Sequence, residues 1–200
     1  QFLDTITMQV ERYPIAGPVK ITPQVYGDDR GYFLETWNQR RFAEALQLPL
    51  EEAPTFAQDN QSRSSRLVLR GLHYQLPPHA QGKLVRCVQG EIFDVAVDIR
   101  RASPTFGQWV GALLSATNHS QLWVPAGFAH GFLVLSESAD VLYKASDFWN
   151  KDAERSIRWD DPDLAIAWPF TPGDAAPSVS GKDGEAPTLR EATAKGEVFP

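Results

Sequence analysis

The run Glu91-Ile92-Phe93-Asp94-Val95-Ala96-Val97-Asp98-Ile99 repeats with a period of two, not 3.6. Successive side chains of an extended strand point to opposite faces. Phe93, Val95, Val97 and Ile99 therefore share one face, and Asp94 and Asp98 share the other. Lys83-Leu84-Val85-Arg86-Cys87-Val88 reads as the preceding strand, with Gln89-Gly90 as the turn between them. Further strand-like runs cover Trp109–Ser115, Gln121–Val124, Gly131–Leu135 and Asp140–Phe148, separated at short intervals by Gly and Pro. That spacing predicts an all-β antiparallel sandwich or barrel. One helix is predicted over Gln39–Leu48, stopped by Pro49, and a shorter helical piece near Asp152. From Pro169 the chain is rich in Pro, Gly, Ala and polar residues, which reads as a wrapping loop or tail with mobile stretches. No repeat or linker divides the chain. Residues 1–200 read as one domain, with 185–200 as its tail.

Two hundred residues suffice for a core of ordinary size, and 42% hydrophobic with 22% charged residues describes a soluble globular chain. The formal net charge of −6 argues against a nucleic-acid-binding surface but leaves room for a local cationic pocket. Cys87 is the only cysteine, so no internal disulfide forms; it reads as a small core hydrophobe. No apolar run reaches the ~18 residues a membrane helix needs. No signal peptide is recognisable, so the cytoplasm is the expected location. Met8 is the only methionine. It reads as a natural start, with Gln1–Thr7 as an upstream extension.

The chemistry concentrates in Val68-Leu69-Arg70-Gly71-Leu72-His73-Tyr74-Gln75, where Arg70 and His73 interrupt an apolar run. Lys83 follows, and His130 stands beside Gly131. Cationic groups in an apolar wall are costly unless an anion or a reaction needs them. The pattern points to a pocket for a negatively charged ligand with a proton-transfer base beside it. Pro125-Ala126-Gly127-Phe128-Ala129-His130 has the P-x-G-x-x-H form and resembles the second motif of cupins, small jelly-roll barrels. Metal-holding cupins pair it with H-x-H. Here that region reads His73-Tyr74-Gln75, so the second histidine is missing. His79 follows Pro77-Pro78, out of step with the period of two. No metal site is expected from four histidines so arranged.

Several ordered motifs together resemble the dTDP-4-dehydrorhamnose 3,5-epimerases, from about Val19 to Pro187. They are Asp29-Arg30-Gly31-Tyr32-Phe33-Leu34-Glu35, Gln58-Asp59-Asn60, Leu69–Gln75, Gly82-Lys83-Leu84-Val85-Arg86, Val124–Phe132, Leu142-Tyr143-Lys144, Trp159-Asp160-Asp161-Pro162 and Lys182-Asp183. The resemblance implies a cupin-type jelly-roll fold, a homodimer and no cofactor. It implies inversion of C3 and C5 of dTDP-4-dehydro-6-deoxy-D-glucose, giving dTDP-4-dehydro-β-L-rhamnose. Both carbons flank the C4 ketone, so each can lose its proton to form an enolate. The reaction needs a base, an acid on the opposite face and a cation near the enolate oxygen.

By the same resemblance, His73 is the proton acceptor, Asp183 orients it, Tyr143 is the proton donor and Lys83 lies near the enolate oxygen. His130, Glu154 and Lys182 contact substrate. Arg30 and Arg70 grip the diphosphate. Glu35, Gln58, Asp59 and Asn60 bind the nucleotide part, and Trp149 stacks on thymine. Part of each site comes from the partner chain in this family, so Arg30 and Glu35 are expected to act in trans. Taken singly, His73 reads as a core histidine, Tyr143 as a packed strand tyrosine, Asp183 as a turn residue and Lys83 as a strand end. Two other functions stay open: a single-carbon epimerase of a related sugar, and a non-catalytic nucleotide-sugar-binding cupin. A metal-dependent cupin oxygenase or isomerase is a further class.

Overall fold

A computed structural model describes residues 8–200; the stretch read as an upstream extension, residues 1–7, lies outside them. In chain order the elements are β1 (Gln9–Arg12), β2 (Val19–Thr22), β3 (Val25–Asp28), β4 (Gly31–Leu34), α1 (Gln39–Leu46), β5 (Gln58–Ser65), β6 (Leu69–Gln75), β7 (Lys83–Gln89), β8 (Glu91–Asp98), β9 (Trp109–Ser115), β10 (Gln121–Val124), β11 (Phe128–Val134), β12 (Ser138–Ala145), β13 (Glu154–Ser156), α2 (Gly181–Gly184) and α3 (Leu189–Ala194). One sheet runs β1-β2-β10-β7-β12-β5 and the other β13-β6-β11-β8-β9, with β3-β4 a separate hairpin. All these pairings are antiparallel, and the result is a jelly-roll sandwich.

Both faces of β8 are buried. Ile92 and Ala96 pack between the two sheets with Val85, Leu122, Val124, Phe132 and Val141. Val95, Val97 and the neighbouring Ile99 pack outward against Leu164, Trp168, Leu189, Ala192 and Val198. The more apolar face of the alternation thus points away from the barrel interior. Asp94 and Asp98 are both fully buried. Fully burying each large aliphatic side chain stabilises by roughly 1.5–3 kcal/mol. The segment after Pro169 is therefore part of the core. It wraps as expected, but it carries two short helices, α2 and α3, and bridges Val68 through Ser178 and Arg100 through Phe199.

The second flank of the fold is α1, whose Phe42 and Ala45 pack on Val19, Ile21, Leu84 and Trp123 of the six-stranded sheet. Asn38 caps it by accepting from Arg40 and Arg41 N–H. The helix ends at Leu46, two residues before the expected end, because Gln47 turns left-handed (φ 58°) and Leu48 N–H bonds back to Ala43. Pro49 is not the stop. No helix forms near Asp152: Asn150 caps a tight turn by accepting from Asp152 and Ala153 N–H, and β13 begins at Glu154. β12 ends at Ala145 rather than Phe148, and β11 starts at Phe128 rather than Gly131. Strand β5, Gln-Asp-Asn-Gln-Ser-Arg-Ser-Ser, has no apolar residue yet pairs with β12 along its whole length. Its polar composition hid it from hydrophobic patterning. Among the described residues no helix is long and apolar enough to cross a membrane.

Candidate active site

Arg70 and His73 would lie on opposite faces of a regular strand, because their spacing is odd. The register between β6 and β11 removes that conflict. His130 pairs with His73 and Phe132 with Arg70, so three steps on β6 oppose two on β11. This is a β-bulge, which re-aims the side chains beyond it. Leu69, Leu72 and Tyr74 then face the outer cluster, and the bulge turns both Arg70 and His73 to the other side. Gly71 sits at the bulge with φ 124°; a Cβ there would stand 2.6 Å from Gly131 Cα and 2.8 Å from His130 O. The two glycines permit this close approach of β6 and β11.

His73 Nε2 lies 2.6 Å from Asp183 Oδ1. Asp183 is 3% exposed, and its Oδ2 accepts from Gly71 N–H at 3.2 Å. Its own N–H is capped by Ser180. Burial alone would raise the Asp183 carboxyl, but the hydrogen bond and charge of His73, with Gly71 and Ser180, outweigh it and hold it below the usual range. The pair joins residues 110 apart in sequence. His130, the cross-strand neighbour of His73, is buried with Nε2 2.7 Å from Asp94 Oδ1. Two histidine–aspartate pairs therefore meet in one wall.

The opposite wall belongs to the six-stranded sheet. Lys83 and Tyr143 stand on β7 and β12, with Lys83 Nζ 5.9 Å from the centre of the Tyr143 ring. Burial pulls the Lys83 ammonium down to about 8, against the opposing pull of Asp94 and Glu154. Burial raises the Tyr143 phenol, Arg70 lowers it and Glu154 raises it, so the hydroxyl keeps its proton at neutral pH. His73, Lys83, Tyr143, Gln58, Asn60, Trp149 and Glu154 all line one open cavity. Glu154 pairs with Lys182. Burial raises the Glu154 carboxyl, but Lys182, a hydrogen bond from Trp149 and the nearby His73 bring it below its ordinary value. Among the described residues no three of His, Cys, Asp and Glu come together as a metal site. The site combines a histidine with an oriented ring, a protonated phenol across from it and an ammonium beside the phenol. That arrangement suits proton removal and return at a carbon next to a carbonyl.

The family model of the dTDP-4-dehydrorhamnose 3,5-epimerases matches residues 12–191. The chain belongs to this family. The enzyme of that name from Pseudomonas aeruginosa is 55% identical over 185 residues, 92% of this chain and 98% of that one. Among solved structures, a dTDP-6-deoxy-D-glucose-3,5-epimerase from Legionella pneumophila in complex with dTDP-4-keto-L-rhamnose is 46% identical. It has a TM-score of 0.88 over 96% of this chain and 98% of that one. A 3'-monoepimerase from Streptomyces bikiniensis in complex with dTDP-quinovose is 35% identical, with a TM-score of 0.84 over 94% and 91%.

Not every residue singled out by the epimerase resemblance lies in the cavity. Along β5, Gln58 and Asn60 face it, while Asp59 faces the other side of the sheet and pairs with Lys144 at 2.9 Å. The period of two forbids all three from sharing a face. Arg70 is exposed, its Nε donating to Ser64. Arg30 stands at the tip of the β3–β4 hairpin, its side chain 89% exposed and paired with Asp28. Glu35 is engaged by Asn38 and Arg41 and lines a different cleft. Three contributors went unread in the sequence. Asp94 was signalled by a carboxylate inside an apolar strand; Ser64 and Gln81 carry no pattern at all.

Proposed function

We propose that this chain inverts C3 and C5 of dTDP-4-dehydro-6-deoxy-D-glucose through an enolate, giving dTDP-4-dehydro-β-L-rhamnose. The observation that carries the proposal is the placement of His73 and Tyr143 on opposed sheets across one cavity. Inversion requires this separation of groups: one takes the proton from one face of the ring, the other gives it to the opposite face. The electron pair of the broken C–H bond moves onto the C4 oxygen, His73 becomes imidazolium and Asp183 stabilises it. Collapse of the enolate takes a proton from the Tyr143 hydroxyl onto the other face of the same carbon. Exchange with water then resets both groups. Lys83, charged below about pH 8, stands near the enolate oxygen.

Gln58, Asn60, Trp149 and Glu154 then hold the nucleotide-sugar, Lys182 and His130 complete the sugar end, and Arg70 meets the diphosphate. The chain works as a homodimer, with Arg30 and Glu35 of one protomer reaching the site of the other. In support, Arg30 lies outside the cavity and its hairpin exposes Tyr26, Tyr32 and Phe33, the aromatic character of an interface. Asp59 fits the nucleotide reading only through such a partner surface.

Incubation with substrate in deuterated water tests the reading. Deuterium is expected at both C3 and C5, with rhamnose formed when a 4-reductase is coupled, and His73→Ala abolishing exchange at both. Exchange at C3 alone would reassign the chain to the single-carbon chemistry of the Streptomyces relative, and no exchange would leave a binding protein.

A further inference from the structure

Trp149 lies on a short segment without regular structure, residues 146–150, that follows β12, and its side chain lines the cavity. Two large aromatics there are solvent-exposed, Phe148 at 65% and Trp149 at 56%. A platform so exposed gains little from packing, so its attitude depends on the bond its side chain gives Glu154 and on how its backbone is held. Three glutamine side chains hold it. Gln81 Nε2 donates to Asp147 O at 2.7 Å. Gln58 Oε1 accepts from Trp149 N–H at 3.0 Å. Gln75 grips both sides of the tryptophan: its Nε2 donates to Phe148 O at 3.2 Å and its Oε1 accepts from Asn150 N–H at 2.8 Å.

Gln75 is 3% exposed, and its Nε2 also donates to His79 O at 2.7 Å. Its amide is satisfied at both ends by backbone, and water has little access to replace those bonds. It stands where an H-x-H motif would have its second histidine. We infer that Gln75, backed by Gln81, is a positioning residue that fixes the 146–150 strap and thereby the stacking platform of Trp149. The inference rests on the proposed function, in which Trp149 receives the nucleotide base.

Gln75→Met keeps the volume and removes the bonds. In the full chain it is expected to raise both the Kd for dTDP and the KM for the sugar nucleotide about tenfold, with kcat changed less than about threefold. In a Trp149→Ala background the same substitution is expected to change the dTDP Kd less than about twofold, since the platform it orients is gone. A general structural role would not distinguish the two backgrounds. Gln81→Met, at a half-buried position, carries the same cycle if Gln75→Met does not fold. Equal effects with and without Trp149, or an unchanged Kd in a folded Gln75→Met protein, overturn the inference alone. A wild-type chain that fails to bind dTDP overturns the functional reading beneath it.

Discussion

Lys83 shows how one residue can trade stability for reactivity. Its ammonium is drawn down from 10.5 to about 8 by burial. The folded chain therefore binds fewer protons than the unfolded chain between those two values, so stability rises with pH through that window. Below it the charged amine is a net cost to the fold. Lys83→Met is expected to raise Tm at pH 7, with about 2–4 °C for each kcal/mol relieved in a chain of this size. The gap should narrow as pH climbs from 8 to 10.5. The same substitution is expected to lower kcat/KM roughly 10²–10³-fold, as for loss of one donor to a developing oxyanion. Wild-type activity should fall as pH rises through about 8, and that alkaline limb should be missing from the residual activity of the variant. Calorimetry and a pH series of the exchange assay check both halves. A variant that is less stable than wild type at pH 7 would contradict the desolvation argument. The residues of this site were legible unequally. His73 and Lys83 stood out as cations in apolar runs. Asp183 did not, because its pairing spans the chain and its local sequence is that of an ordinary turn.

At the scale of elements, alternation located the hairpin β7–β8 and strands β9 to β12 within a few residues, but left the short β1 to β4 and β13 unread. It could not tell interior from exterior. Both faces of β8 are covered, so the polar face with Asp94 and Asp98 is as buried as the apolar one. The polar strand β5 escaped for the same reason: hydrophobicity marks burial, and this strand lines a site. The bulge in β6 was equally hidden, though Gly71 marks it. Gly71→Ala tests its importance. The new Cβ would meet backbone of Gly131 and His130, which cannot move as a side chain can, in a conformation unfavourable to L residues. A loss of roughly 1–3 kcal/mol is expected from the backbone conformation alone. Relief by reversing the bulge would return His73 to the opposite face. Solvent exchange at C3 and C5 should therefore fall by at least about 10², the scale of a lost general base, even where circular dichroism shows folded protein. A stable, fully active Gly71→Ala would show that the bulge is not what aims His73.

For the whole molecule the open question is where each site ends. A single chain brings together His73, Asp183, Lys83, Tyr143, Trp149 and Glu154, but leaves Arg30 exposed on a hairpin outside the cavity. Sequence order could not reveal this, because a motif reads the same whether it serves its own chain or a neighbour. Two inactive variants distinguish the cases. In a dimer of His73→Ala with Arg30→Ala chains, action in cis leaves each site with one defect. Action in trans gathers both defects into one site and leaves the other whole. Random pairing of coexpressed chains then makes half of the dimers mixed, each with one intact site, so about a quarter of wild-type activity should return. Each variant alone should stay near its own background. Differently tagged chains allow the mixed dimer to be isolated, where the expectation rises to about half. No recovery in that isolated dimer would place Arg30 in its own chain's chemistry or outside it altogether. Recovery would explain why an acidic chain keeps an exposed arginine among three exposed aromatics: the surface is finished only by a second copy.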